Sequence, residues 1–296
     1  MSATGVRANA KVNLWLRIEG RRMDGFHDIE TVFQSVGLAD ELEFAGVPRD
    51  VSVEMVYDGL SAEQAPSPDD NLVARAAAAL RASADGDPGA RVKVTKRIPI
   101  GGGLGGGSAD AAATLVSLND LWNVGLSQTE LMELASTIGS DTAFCIAGGA
   151  AIGEGRGERL TLLDDHPPLA LVLGLSRSPL LTGDVYARAE AMPGGGGEVN
   201  EMVDALESGD AEAVAALLRN DLEPAAFSLR PELEAKKAEL VAAGALGALV
   251  SGSGPTVFGL CFDLEDAYLV ERRCRDAGIF DRVEVAETRP SCVEYP

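Results

Sequence analysis

The segment from Ile98 to Asp110 constrains this chain more than any other. It reads Ile98-Pro99-Ile100-Gly101-Gly102-Gly103-Leu104-Gly105-Gly106-Gly107-Ser108-Ala109-Asp110, with glycine at six of the seven positions 101–107. A strand-like run at 91–95 precedes it and an Ala-rich helical pattern from about Ser108 to Leu121 follows. Glycine lets the backbone reach positive φ and lets an anion approach N–H groups with no Cβ in the way. The helix behind it adds unpaired N-terminal donors and the positive end of its dipole, a combination suited to phosphate. A flexible linker would not be wedged between a hydrophobic strand and an Ala-rich helix. The Walker A pattern fails, because position 107 is Gly where Lys is required. Gly101, Gly103 and Gly106 satisfy G-x-G-x-x-G, but the helical pattern runs on through Asn119, Asp120 and Leu121 without the βαβ unit of a dinucleotide fold.

Charge limits what this loop can serve. Lys and Arg total 25 against 46 Asp and Glu, a formal net charge of −21 over 296 residues. Nucleic acid or an anionic membrane needs a basic face, so neither is an expected partner, whereas a small anionic ligand meets only the local field. Cys145, Cys261, Cys274 and Cys292 lie far apart and only two histidines are present, which argues against a disulfide framework or a Cys/His zinc site and for a reducing compartment. The N-terminal MSATGVRANAKVNL lacks a secretory apolar run. Leu240–Phe262 is uncharged, yet Ser251-Gly252-Ser253-Gly254-Pro255-Thr256 breaks it, so it reads as helix end, loop and core strand. A cytoplasmic protein is expected.

Along the chain, residues 11–18 alternate, with Val12, Leu14, Leu16 and Ile18 on one face and Lys11, Asn13, Trp15 and Arg17 on the other. Strand-like runs follow at 29–37, 41–46 and 51–57, then a polar loop at 61–70 and a helix at 72–84. Ser127 and Glu130 form a capping box for a helix reaching about Ile138. Beyond residue 156 the pattern predicts a strand at 169–174, a short helix near Tyr186, a flexible stretch at 193–197, three helical segments over 198–243, a strand at 256–262, a helix at 264–276 and a strand at 282–287. Strands and helices mix without strict alternation, which predicts an α+β chain in two lobes, 1–155 and 156–296.

The loop Pro99–Ala112 resembles the phosphate loop of the GHMP small-molecule kinases, the superfamily of galactokinase, homoserine kinase and mevalonate kinase. Further motifs follow in the expected order across nearly the whole chain. They are Ala10-Lys11-Val12-Asn13-Leu14, Arg22-Met23-Asp24-Gly25-Phe26-His27, Leu118-Asn119-Asp120-Leu121-Trp122, Gly139-Ser140-Asp141-Thr142-Ala143-Phe144, Gly153-Glu154-Gly155-Arg156-Gly157-Glu158 and Ser251–Thr256. Together they are similar to the branch that phosphorylates a cytidyl diphosphate of a methylated erythritol. The resemblance implies a two-lobed GHMP-kinase-like fold, with an ATP-binding, catalytic lobe followed by a C-terminal lobe completing the substrate site. Another kinase of the superfamily and a non-catalytic nucleotide-binding regulator are the alternatives.

Phosphoryl transfer needs phosphate positioning, charge neutralisation and a base near the attacking hydroxyl. Asp141 precedes the uncharged run 142–153, where an acid is partly desolvated; it reads as that base or as a helix-end acid. Lys11 on an apolar strand reads as a solvent-facing lysine or, as the resemblance implies, as the cation beside Asp141. Asn13 shares its face. The resemblance implies that Pro99, Gly101, Gly102, Gly103, Leu104, Gly105, Gly106, Gly107, Ser108 and Ala109 bind ATP, that His27 reads a cytosine edge, and that Phe26 and Tyr186 stack near the base with Thr182 alongside. The residues just before Thr182, Arg177–Leu181, depart from the family pattern. Ser108 can cap the helix, bond a phosphate or touch Mg²⁺, and no acidic cluster has metal-ligand spacing; Mg²⁺ is expected with ATP, held by phosphates and water. With Lys93, Lys96, Arg97 and Arg156 near in sequence, the pocket is expected to be an electropositive island. The expected partner is a small-molecule substrate, with the protein a monomer or homodimer.

Overall fold

A computed structural model describes residues 4–59, 65, 67–189 and 196–295. Half of the polar loop at 61–70 and most of the stretch at 193–197 lie outside them. The chain opens with two long strands, β1 (Thr4–Arg21) and β2 (His27–Val47), joined as a hairpin. The two runs expected at 29–37 and 41–46 are therefore one strand. β3 (Val51–Tyr57) pairs parallel to β4 (Gly89–Lys96), which lies against β2. Two further strands, β5 (Ala150–Gly155) and β6 (Arg159–Leu162), form a hairpin on the other stretch of β2. The first sheet also takes β8 (Arg219–Asn220) and β12 (Val293–Glu294), both along β1.

The second sheet is antiparallel in the order β11 (Arg282–Glu287), β7 (Ala170–Leu175), β10 (Val257–Cys261), β9 (Gly247–Val250). Strands β7 and β10 are buried throughout, with helices α9 (Glu232–Ala242) and α10 (Leu264–Ala277) packed on this sheet. The break at Ser251–Thr256 thus joins two neighbouring strands, β9 and β10, of which the pattern gave only the second. Four helices, not three, occupy 198–243: α6 (Val199–Ser208), α7 (Ala211–Leu217), α8 (Glu223–Leu229) and α9. Asp210 splits the first pair by accepting from the N–H groups of Glu212 and Ala213, and Pro224 starts α8. Among the described residues no helix is long and apolar enough to cross a membrane.

The helices that complete the first part are α1 (Leu72–Arg81), α2 (Gly106–Leu121), α3 (Gln128–Ser136) and α4 (Thr142–Ala147). The Ser127–Glu130 capping box opens α3 as the spacing predicts. Helix α2 is buried on nearly every side: Ala109, Ala111, Ala112, Ala113, Leu115 and Leu118 are solvent-free within one apolar core with Phe44, Leu80 and Phe144. Small residues let α1, α4 and the first sheet close around it.

One irregularity in β1 matters for function. The register with β2 shifts between Asn13 and Trp15, a bulge that ends the alternation read from 11–18. Trp15 joins Val12 and Leu14 in the core between the sheets, while Leu16 lines the same cavity as Lys11 and Asn13.

Candidate active site

A cavity of about 880 Å³ opens between the glycine loop, β1, β2 and α5 (Thr182–Ala189). Lys11, Asn13, Phe26, His27, Pro99, Gly101 to Ser108, Asp141, Thr182 and Tyr186 all line it. Ala109 does not. Its methyl is fully buried in the core and its N–H is spent on the Gly105 carbonyl at 2.9 Å, so it offers nothing to a ligand.

The loop's conformation is dictated from both sides. Gly103 has φ +78°, and a Cβ there would stand 2.1 Å from the Ser251 carbonyl oxygen. Ser251 Oγ donates to the Gly103 carbonyl at 2.9 Å and the Thr256 N–H to the Gly102 carbonyl at 3.2 Å, so the second glycine segment pins the first. Gly105, at φ +66°, occupies the N-cap of α2, and its missing Cβ leaves room for the Lys11 stem. The N–H groups of Gly106, Gly107 and Ser108 form the first turn, which has no intrahelical partner for them. Ser108 therefore lies inside the helix and does not cap it, and it lines the cavity.

Lys11 is buried, with Nζ 3.3 Å from Asp141 Oδ2. It donates to Asn13 Oδ1 at 2.7 Å, Asn13 Nδ2 donates to Thr31 Oγ1 at 2.8 Å, and Thr31 Oγ1 donates to the Trp15 carbonyl at 2.6 Å. This chain fixes the ammonium over the Phe33 ring, 5.5 Å from its centroid. Asp141 occupies the helix end before α4, but its side chain makes no capping bond. Its carboxylate, 28% exposed, is left facing the cavity.

On the rim beyond this pair, the His27 and Tyr186 rings stack at 5.1 Å and 28°. Thr182 Oγ1 lies 3.0 Å from Ser253 Oγ, which ties α5 to the second glycine segment. Burial, together with the negative charge of Asp141, raises the Tyr186 phenol above its usual range, so it stays neutral.

Sequence reading missed a buried triad under the glycine loop. Lys96 Nζ bonds Asp110 Oδ2 at 2.7 Å and also Asp40 Oδ2. Asp40 Oδ1 accepts from the N–H groups of Arg97 (2.5 Å) and Ile98 (2.9 Å), holding the strand that enters the loop. Burial and then the adjacent Asp40 push the Asp110 carboxyl up to about 8 against the pull of Lys96, whose ammonium is held charged by the two acids. The available signal was Asp110 itself, an acid in an otherwise Ala-rich buried helix. Met55, Tyr57, Asn71, Leu72 and Val73 were also missed; they wall the cavity beside Gly107. Of the cations expected to make the pocket positive, Lys96 and Arg156 line it, whereas Lys93 pairs with Glu43, and Arg97 with Glu41 and Asp58, on the exposed surface.

A glycine loop at a helix N-terminus, a Lys–Asp pair beside it and an aromatic rim thus share one cavity. The family pattern described as the GHMP kinases N terminal domain matches residues 71–149, and the GHMP kinases C terminal pattern matches 202–279. The 4-diphosphocytidyl-2-C-methyl-D-erythritol kinase of Pelotomaculum thermopropionicum is 46% identical over 90% of this chain and 92% of its own. A crystal structure of 4-(cytidine 5'-diphospho)-2C-methyl-D-erythritol kinase superposes with a TM-score of 0.81 at 33% identity, covering 96% of this chain and 98% of that one. The homoserine kinase of Cytophaga hutchinsonii, at 19% identity and a TM-score of 0.77 over 100% and 98% of the two chains, shares the fold. The chain belongs to the 4-diphosphocytidyl-2-C-methyl-D-erythritol kinase family of GHMP kinases. It is an ATP-dependent small-molecule kinase of the α+β GHMP fold.

Proposed function

We propose that this chain transfers the γ-phosphoryl group of ATP to the 2-hydroxyl of 4-diphosphocytidyl-2-C-methyl-D-erythritol, a step in making isoprenoid precursors. The observation that carries the reading is the Lys11–Asp141 pair, set in one cavity between the glycine loop and the His27–Tyr186 rim. Residues 1–155 supply the nucleotide site and the base, and 156–296 complete the substrate wall through Thr182, Tyr186 and Ser253.

In this reading the first-turn N–H groups of α2 and its dipole hold the transferring phosphates. Asp141 accepts the proton of the 2-hydroxyl as its oxygen attacks the γ-phosphorus; the bond to the β-phosphate oxygen breaks and ADP departs. Lys11 offsets the charge that develops between alkoxide and phosphoryl group, and Asn13 keeps the ammonium in place. His27 reads the cytosine edge, with Phe26 and Tyr186 stacking on the base. Mg²⁺ brought with ATP would neutralise the polyphosphate; the oxygen donors on this rim, Ser108 Oγ and the Asp141 carboxylate, suit a hard cation carried mainly by phosphate and water. Four buried free thiols agree with a reducing cytoplasm, and the acidic surface with a protein that avoids nucleic acid.

Purified protein supplied with ATP, Mg²⁺ and the cytidyl substrate should release ADP and give the 2-phosphate. Turnover of homoserine or mevalonate in its place, with no competition from cytidine nucleotides, would overturn the reading.

A further inference from the structure

We propose that Arg156 binds the diphosphate of the cytidyl substrate and thereby sets the preference for a cytidine diphosphate over plain cytidine. The assignment rests on the substrate proposed above.

Arg156 lies in the turn between β5 and β6, flanked by Gly155 at φ +71° and Gly157 at φ +100°. Its N–H donates to Glu158 Oε2 at 2.6 Å, which fixes the turn. A Cβ on Gly157 would come within 3.1 Å of Phe33 Cζ, so the turn sits on the same ring that underlies the Lys11 ammonium. The Arg156 side chain is thus delivered to the cavity by a short hairpin.

The guanidinium stacks over Phe26, 5.1 Å from the ring centroid, immediately before His27 in sequence. The Phe26 side chain has no polar atom, and the residue is half exposed. A cation–π contact of this kind restrains the guanidinium without using its N–H groups, which can still donate to phosphate oxygens.

Charge accounting points the same way. A cytidine diphosphate ester brings two negative charges onto a protein of net charge −21, so local cations must meet them. Lys11 is engaged by Asp141 and Asn13, and Lys96 by Asp40 and Asp110. Among the described residues Arg156 pairs with Glu158 alone, with Nε 3.8 Å from Oε1, beyond hydrogen-bond length. Asp24, the other acid within its electrostatic reach, is paired with Arg22 at 3.0 Å. Arg21, opposite His27 in the β1–β2 register, is a second cation on this rim.

The test is steady-state kinetics of wild type, Arg156→Ala and Arg156→Lys, with inhibition by cytidine, CMP and CDP. Wild type should bind these inhibitors more tightly in that order. R156A should raise KM for the cytidyl substrate about tenfold and flatten the inhibitor series, with kcat and KM for ATP within about twofold. R156K should recover part of the loss, since a point charge replaces a planar fork. An unchanged KM and an unchanged inhibitor series in R156A overturn the assignment while leaving the proposed reaction standing. A wild type that turns over no cytidyl substrate overturns both.

Discussion

Lys11 Nζ stands 3.3 Å from Asp141 Oδ2, although one residue belongs to the opening strand and the other to the approach to α4. Asp141→Asn keeps the shape and removes the proton acceptor. It should lower kcat by about 10²–10⁴-fold while ATP still binds, measured by ADP release alongside nucleotide titration calorimetry. Full turnover in D141N would exclude the base assignment.

Tyr186 tests the aromatic rim. Because its phenol is held neutral, Tyr186→Phe preserves the stack on His27 and should leave KM for the cytidyl substrate within about twofold. Tyr186→Ala removes the stack and should raise that KM about tenfold, with KM for ATP unmoved. Equal KM values for the two variants would remove Tyr186 from the substrate site.

Asp110 gives a pH signature. Its folded carboxyl titrates near 8 against about 4 in the unfolded chain, so between those values the native state holds the extra proton. Stability contributed through this group is full below the unfolded value and is lost as pH rises through the folded one. Asp110→Asn mimics the protonated form. Thermal melts from pH 5 to 9 should show D110N gaining on wild type as pH rises, the gap levelling off above about 8. A pH-independent gap would mean that the carboxyl is not held protonated.

Gly103 tests the interlock of the two glycine segments. Gly103→Ala must displace the Ser251 carbonyl at an unfavourable positive φ, costing about 3 kcal/mol by denaturant melts and raising KM for ATP. Gly125→Ala, also at positive φ but with no atom within 4 Å of the added Cβ, is the control for backbone strain alone.

The glycine loop, the capping box at Ser127 and the buried helix α2 were legible because each is written in consecutive residues. Lys11 and Asp141 were legible as a pair only through family motifs, since no local pattern joins positions so far apart. Lys96 was not: within Thr95-Lys96-Arg97 it reads as a solvated charge, and only the fold brings Asp40 and Asp110 to it. The short strands β8 and β12 escaped because their pairing comes from distant partners and not from a period of their own, and β9, which pairs with the adjacent β10, because four residues are too few to show a period. The bulge at Asn13/Trp15 is likewise a property of two strands together, and it carries Leu16 to the ligand side.

The pinning of Gly102 and Gly103 by Ser251 and Thr256, and the seating of Val293 beside Ala8, have a consequence for biosynthesis. A ribosome releases the phosphate loop, Lys11 and Asp141 long before it releases the segments that hold them in place. A chain released only as far as Asp141 lacks the residues that pin its glycine loop.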